Sequence, residues 1–456
     1  MKKLTSSEIA GAVGGRIVSG TGRRTAAKAV IDSREAAEGT VFFAIKGPNH
    51  DAHGFIPDAV RAGCEIVVIS DETKVPADCD AVLVDDTLKA LQDLAAWYIK
   101  GLDIKKIAVT GSVGKTSTRD LLAAGLSSAY RTAKSEKNYN NQYGVPLTVL
   151  SFDGTEEAAV IEMGMEHRGE IHRLADIVRP DIAVITNIGI SHMENLGSRQ
   201  GIMDAKLEIT DFFTGDNALV INGDDDMLSG LSEKAYGIVR AGSGPENLFR
   251  VTGVRDKGAR GVDVSLEAEG KSLDVSLKIP GAHNAGNLAL ALAACSLAGA
   301  DMEEAAKAME NAVLTGNRLK ISEAGGVTII DDSYNAAPAS VVSAVKTLMA
   351  TEGKRHVAVL GGMAELGPKS RELHTETGEK IGDLGVEFLV TIGENAADIA
   401  RGAENAGVNN AVSFSSKEDL YDEIRNLFHE GDVILIKASR TMELEKLAEK
   451  IRKAMK

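Results

Sequence analysis

Cysteine is scarce in this chain of 456 residues: there are three, Cys64, Cys79 and Cys295. The number is odd and the spacing fits no metal-ligand pattern, so neither a disulfide framework nor a zinc module is indicated. Thiols buried in a reducing cytoplasm are the expectation. Basic charge is also in short supply. Against 66 Asp and Glu stand 51 Lys and Arg, a formal net charge of −15. No Lys/Arg cluster is present that could neutralise many phosphates, which argues against a nucleic-acid partner. Long apolar runs are missing too. The greasiest stretch, LALALAACSLAGA at 288–300, is too short and too rich in alanine to span a bilayer. It reads as a core helix, and no integral membrane contact is expected. Two lysines near the start are followed by no long apolar run, so a signal peptide is not indicated. Internal repeats and low-complexity tracts are absent as well.

What the chain does have is alternation. Its length suits three domains better than one, and 44% apolar residues is ordinary for a globular protein. Residues 1 to about 100 alternate short strands, in GTVFFAIKG, CEIVVIS and AVLVDD, with helices. TLKALQDLAAWYIK (87–100) has helical spacing, with Leu88, Leu91, Leu94 and Trp97 expected on one face. GLDIKK then reads as a hinge. From 105 onward a β-α-β-α pattern implies a mostly parallel sheet with helices on both faces. The short alternating segments of 250–280 look like an antiparallel insert. After LTGNRLK (314–320) the alternation restarts. The fold class expected is α/β in three domains: a small N-terminal α/β domain (1–102), a central phosphate-loop domain built on a mostly parallel sheet (103–315), and a C-terminal Rossmann-like domain (316–456).

The most informative stretch is KKIAVTGSVGKTSTRD, from Lys105 to Asp120. A phosphate loop normally reads G-x-x-x-x-G-K-[ST], yet its first glycine is replaced here by Val109. The physical requirements survive that loss. They are a buried strand to aim the loop, backbone N–H groups able to converge on oxygens, and a helix N-terminus behind. IAVTG supplies the strand and KTSTRDLLAAGL the helix. Gly111 and Gly114 permit close approach, Lys115 brings a charge, and the Thr116 hydroxyl can reach Mg²⁺.

Further motifs follow in a fixed order: NYNNQYGVP (138–146), EMGMEHRGEI (162–171), TNIGISHMENLGS (186–198), AKLEI (205–209), HNAGN (283–287), GNRLK (316–320), DDSYN (331–335) and AELG (364–367). Together with a T-G-x-x-G-K-[ST] loop, this set resembles the Mur ligase family, the ATP-dependent amide-forming ligases of peptidoglycan precursor synthesis. The likeness covers nearly the whole chain. Within the family, NYNNQYGVP, EMGMEHRGEI and AELG are similar to the branch that adds a D-alanyl-D-alanine dipeptide. The resemblance implies ATP and Mg²⁺ as cofactors, UDP-MurNAc-tripeptide and D-Ala-D-Ala as substrates, a cytoplasmic enzyme, and a monomer by default.

It also implies site residues, each of which has a plainer reading. Thr110, Gly111, Ser112, Val113, Gly114, Lys115, Thr116 and Ser117 would hold the ATP phosphates. Thr116 and Glu162 would hold Mg²⁺, although a strand-end carboxylate is often merely solvated. His192 would touch a second Mg²⁺ or substrate, where a lone histidine is more often structural. Lys206 reads on bare sequence as a solvated helix lysine. The matching lysine of the family is carbamylated by CO₂, and a carbamylated Lys206 as metal ligand is carried over as a hypothesis. The catalytic set is thus Lys115, Glu162, His192 and Lys206. Asn284 and Asn287 would face adenine, with helix capping by Asn284 as the alternative. Arg318 and Asp332 would reach ATP from the third domain. Ser33, Arg34, Lys46 and His53 would contact the nucleotide-sugar, and Asn138, Asn140 and Asn141 its peptide or sugar portion; all could instead be surface polar groups.

Two positions depart from the family pattern, Ala337 where Asn is common and Gly362 where Asp is common, which touches details of acceptor binding. Three other readings compete. The sibling ligase for the third amino acid carries a D-N-P-R-type motif in diaminopimelate-specific members, and that motif is missing here. A folylpolyglutamate or cyanophycin-type synthetase would lack the EMGMEHRGEI and AELG pair. A non-catalytic nucleotide switch would not need Lys115, Thr116, Glu162, His192 and Lys206 together.

Overall fold

The computed structural model describes residues 1–47, 50–232 and 234–455. They form two compact units. The first comprises Met1–Thr110, Tyr130–Ala183 and Leu207–Ala218, the second Gly111–Ala129, Val184–Lys206 and Leu219–Lys456. The fold is mixed α/β with mostly parallel sheets, as the alternation implies.

In the first unit a five-stranded sheet runs in the order Arg16–Ser19, Asp80–Leu83, Ile66–Ile69, Thr40–Phe43, Lys28–Val30. Its inner strands are parallel and buried on both faces, which is why TVFF and IVVI are continuous apolar runs rather than alternating ones. The same unit holds a parallel ladder of Lys105–Thr110, Ala158–Glu162 and Thr132–Lys134. In this ladder Glu162 pairs with Val109, so the C-terminal ends of two buried strands lie side by side.

In the second unit the 250–280 region is the expected antiparallel insert. Phe249–Asp256, Val262–Ala268 and Lys271–Leu277 form a meander with a bulge near Thr252. A six-stranded sheet follows in the order Lys320–Ala324, Val327–Asp331, Asp432–Lys437, Arg355–Gly361, Phe388–Ile392, Ala411–Phe414. Its four central strands are those read from the sequence. The edge strands Lys320–Ala324 and Ala411–Phe414 are not marked in the sequence, because neither carries a buried apolar run. The helix Lys115–Leu126 is buried nearly all round, packed by Asn284–Leu297 and Met302–Met309.

One helical face differs from the expected one. Thr87–Lys100 is a helix, started by Asp86, whose side chain accepts from the N–H groups of Leu88 and Lys89. Its buried face, however, is Ala90, Leu91, Leu94, Ala95, Tyr98 and Ile99, while Trp97 is 46% exposed. Steps of three residues lag the helical turn by about 60° each, so a Leu88–Leu91–Leu94–Trp97 row ends on the opposite side. Tyr98 is instead tied in by its hydroxyl, which donates to the Phe152 carbonyl at 2.6 Å and accepts from the Lys2 N–H at 2.7 Å.

All three cysteines are free and buried. Burial raises their thiol pKa values, that of Cys79 to about 12, so they behave as small apolar groups. Among the described residues, no helix is long and apolar enough to cross a membrane. Leu94→Ala should cost about 2–5 kcal/mol, and Trp97→Ala under about 1 kcal/mol. Urea midpoints followed by far-UV circular dichroism check this, and equal losses at the two positions would contradict the assigned face.

Candidate active site

The strand Lys105–Thr110 leads directly into the phosphate loop, and the helix Lys115–Leu126 leads out of it. Gly111 (φ 146°) and Gly114 (φ 86°) take backbone angles that L side chains rarely adopt. Gly111 has no room for anything larger, because a Cβ there would stand 1.9 Å from the Thr186 hydroxyl oxygen. No side chain caps the helix N-terminus, and the positive end of a helix dipole favours an anion. The Lys115 ammonium folds back to donate to the carbonyls of Gly111 (2.8 Å) and Ser112 (3.3 Å).

The loop is braced from TNIG (186–189), which follows the strand Ile182–Ile185 and opens the TNIGISHMENLGS motif. Ser112 N–H donates to the Asn187 carbonyl at 3.0 Å, and Val113 N–H to the Asn187 side-chain oxygen at 3.0 Å. The Val113 carbonyl accepts from Thr186 Oγ1 (2.6 Å) and Asn187 Nδ2 (3.0 Å). The N–H groups of Ser112 and Val113 are therefore spent on Asn187. Any phosphate cradle falls to the other members of the 110–117 segment. The Thr110 hydroxyl there is buried without a hydrogen-bond partner, and the Thr116 and Ser117 side chains are mostly buried.

Glu162 is not a solvated strand end. It is 2% exposed and accepts from Asn140 Nδ2 at 2.9 Å, while its N–H donates to Ser135 Oγ. Asn141 Oδ1 accepts from the N–H groups of Tyr143 and Gly144 where the next helix begins, and Asn138 is exposed. His192 sits in the left-handed region (φ 63°), with Nδ1 2.7 Å from Glu365 Oε2 but outside hydrogen-bonding alignment. Glu365 also has positive φ, 62°. The neighbouring imidazole holds its carboxyl below the usual glutamate range.

Lys206 is not a surface lysine either. On the helix Arg199–Leu207 it is 2% exposed. Burial, with repulsion from Lys115 second, pulls its pKa well below the ordinary value. Asn284 is the first residue of its helix rather than the cap. Its Nδ2 donates to the Pro280 carbonyl, its Oδ1 accepts from Asn287 Nδ2, and Asn287 Oδ1 accepts from the Thr118 hydroxyl. This chain of amides lies against the phosphate loop, since a Cβ on Gly114 would stand 2.8 Å from Asn287 Oδ1. Arg318 stacks on the Tyr334 ring at 3.9 Å. Asp332 is held by Lys437 Nζ at 2.5 Å.

In the N-terminal sheet, Ser33 and Arg34 share a short 3₁₀ turn. The exposed Arg34 guanidinium is bound to Asp32, whose carboxyl it pulls down to about 2. Lys46 is exposed, and its backbone pairs with that of Asp51 in an isolated antiparallel bridge. His53 is 3% exposed with both ring nitrogens in use, Nδ1 toward Asp51 (2.6 Å) and Nε2 accepting from Ser70 N–H (2.9 Å). Within the expected nucleotide-sugar stretch, Pro48 and Asn49 lie outside the described residues.

Among the described residues no group of three or more His, Cys, Asp or Glu is placed to hold a metal. The Thr116 hydroxyl and the Glu162 carboxylate are each oxygen donors of the kind Mg²⁺ takes, since that ion binds few protein oxygens and completes its shell with phosphates and water.

A buried strand, a short glycine turn and an uncapped helix define a phosphate-loop protein. The family comparisons carry this further: the Mur ligase middle domain matches residues 109–295, and the Mur ligase, glutamate ligase domain matches 317–440. The chain belongs to the Mur ligase family. It is 38% identical to the UDP-N-acetylmuramoyl-tripeptide–D-alanyl-D-alanine ligase of Bacillus subtilis (strain 168), over 98% of each chain. The structure of MurF from Acinetobacter baumannii superposes with a TM-score of 0.91 at 28% identity, covering 99% of both chains. The MurF ligase of Thermotoga maritima in complex with ADP matches with a TM-score of 0.81 at 29% identity, covering 94% of this chain and 97% of that one.

Two outcomes test this geometry. Gly111→Ala should weaken ADP binding by about tenfold or more, as read by calorimetry; unchanged affinity would show that the loop does not need this backbone. Lys206 loses its proton on folding at any pH between its lowered folded pKa and its ordinary value of 10.5. The unfolded chain binds more protons there, so stability rises with pH across that window. Lys206→Met should therefore be more stable than the parent at pH 7 in CO₂-free buffer, with the gap shrinking toward pH 10.5. Denaturant unfolding at several pH values reads the gap, and a constant or reversed one would contradict the burial argument.

Proposed function

We propose that this chain uses ATP to join D-alanyl-D-alanine to UDP-MurNAc-tripeptide, giving UDP-MurNAc-pentapeptide, ADP and phosphate. The observation that carries the reading is the braced phosphate loop in a chain akin, over its full length, to UDP-N-acetylmuramoyl-tripeptide–D-alanyl-D-alanine ligases. A carboxylate is a poor electrophile. Transfer of the ATP γ-phosphoryl group to the tripeptide carboxylate makes an acyl phosphate and releases ADP. The dipeptide amine then attacks the carbonyl carbon, loses a proton, and the tetrahedral intermediate expels phosphate as the amide forms. The protein positions the reactants and neutralises charge as phosphoryl transfer proceeds.

In this reading the 110–117 segment holds the phosphates and Lys115 swings from its loop carbonyls onto the terminal ones. Thr116, Glu162, His192 and Lys206 would hold Mg²⁺, which when bound supplies charge neutralisation on the phosphates. The neutral amine that burial favours at Lys206 is the form able to take up CO₂, which supports a carbamylated lysine there. Asn140 fixes the Glu162 carboxylate. Asn287 and Asn284 back the loop toward adenine, and Arg318 and Asp332 approach ATP from the third domain. Ser33, Arg34 and Lys46 take the nucleotide-sugar, with His53 fixing the loop from within. We divide the chain at 102/103 and 315/316. The five-stranded sheet lies wholly before the first boundary and the six-stranded sheet wholly after the second, which supports that division.

Phosphate release from ATP should require UDP-MurNAc-tripeptide and D-alanyl-D-alanine together, and Lys115→Ala should lower it by about 100-fold or more. Release driven by a single amino acid in place of the dipeptide would refute the reading.

A further inference from the structure

The reaction as described leaves a buried charged cluster on the phosphate-loop helix unused. Arg119 and Asp120 lie on the phosphate-loop helix, and both side chains are fully buried. Arg119 donates from Nε (3.0 Å) and Nη2 (2.7 Å) to Asp120 Oδ1. The partner cation makes burial of the carboxylate tolerable. Asp120 in turn reaches 195 residues along the chain: Oδ2 accepts the Thr315 N–H at 2.6 Å, and Oδ1 accepts the Thr315 hydroxyl at 3.2 Å. Bonds from neutral donors to a buried carboxylate are among the stronger hydrogen bonds available to a backbone.

Thr315 opens the segment that leads into the six-stranded sheet. That segment holds two left-handed residues, Gly316 (φ 81°) and Leu319 (φ 49°). A leucine in this region is strained and must be held there by its surroundings. The hold is visible at the far end, where Leu319 N–H donates to Asp332 Oδ1 at 3.2 Å and Lys437 grips the other oxygen of Asp332. Between the two carboxylates lies Arg318. Its Nη1 donates to the Thr315 carbonyl at 2.7 Å and its guanidinium lies over Tyr334, whose N–H donates to the Asn317 carbonyl. The residue that Asp120 holds is therefore the residue that orients Arg318.

We propose that Asp120 is a positioning residue for Arg318. It registers the arginine against the helix that begins at Lys115, so the two cations meet one nucleotide at a set separation. This rests on the reading of Arg318 as an ATP contact. Arginine suits the task because its planar fork loses its advantage when misaligned, whereas a lysine would tolerate slack.

The test is a kinetic cycle on the full chain with ATP, UDP-MurNAc-tripeptide and D-alanyl-D-alanine, comparing Asp120→Asn, Arg318→Ala and the double variant. Asp120→Asn should lower kcat/KM for ATP by roughly ten- to a hundredfold and leave KM for the dipeptide within about twofold. In the Arg318→Ala background it should add less than about twofold. A loss additive to that of Arg318→Ala, or no loss at all, overturns the proposal while leaving the ligase reading intact. An Arg318→Ala variant with parental ATP kinetics overturns both the nucleotide contact and the proposal. If Asp120→Asn does not fold, Arg119→Met with Asp120→Asn removes the buried charges together and is read in the same way. Tyr334→Leu, which leaves the pair intact, should show the same ATP-selective loss; a loss spread equally over ATP and dipeptide counts against the proposal.

Discussion

The grip of Asn187 and Thr186 on the turn from Gly111 to Val113 governs the rest of the site. Two backbone N–H groups and one carbonyl of the turn are committed to these two residues, and the Thr186 hydroxyl occupies the space a methyl on Gly111 would need. The turn is therefore held in shape by its neighbours. What remains for a ligand is the start of an uncapped helix and one lysine, and that lysine rests on its own loop carbonyls. An arriving phosphate replaces those carbonyl contacts with a stronger partner, so the loop need not be rebuilt when nucleotide binds.

Around this turn, charge is buried in two ways. Arg119 with Asp120, and Lys437 with Asp332, are paired, and both pairs grip the same stretch from Thr315 to Leu319. They set geometry more than they add stability, because desolvation consumes most of the gain from a buried ion pair. Lys206 is different: its nearest charged influence is another lysine, and burial drives it toward the neutral amine. A chain that keeps such a residue in its core forgoes stability at that point, as is common where a group has chemical work to do.

The departures from the family pattern are also intelligible. Gly362 has ordinary space around it, with the Asn395 side chain 3.7 Å from where a Cβ would stand, so the absent carboxylate is not replaced by packing. Ala337 precedes a helix whose start is secured by Ser340 Oγ, which accepts from the Ala337 N–H; no side chain at 337 is needed for the fold.

Local order in the sequence determined a good deal by itself. Apolar runs marked the parallel strands, a short glycine turn between strand and helix marked the phosphate loop, and the motif set identified the family, because each depends only on residues near one another in the chain. Tertiary structure decided the rest. It placed Trp97 outward and Tyr98 inward, closed both nitrogens of His53, and turned Asn284 from a cap into one link of an amide chain. It buried Lys206 and Glu162, which look like solvated residues in isolation, and it joined Asp120 to Thr315. Burial, and the partner a polar group finds once buried, are properties of what folds over a residue, and no periodicity within a segment encodes what a distant segment will lay against it.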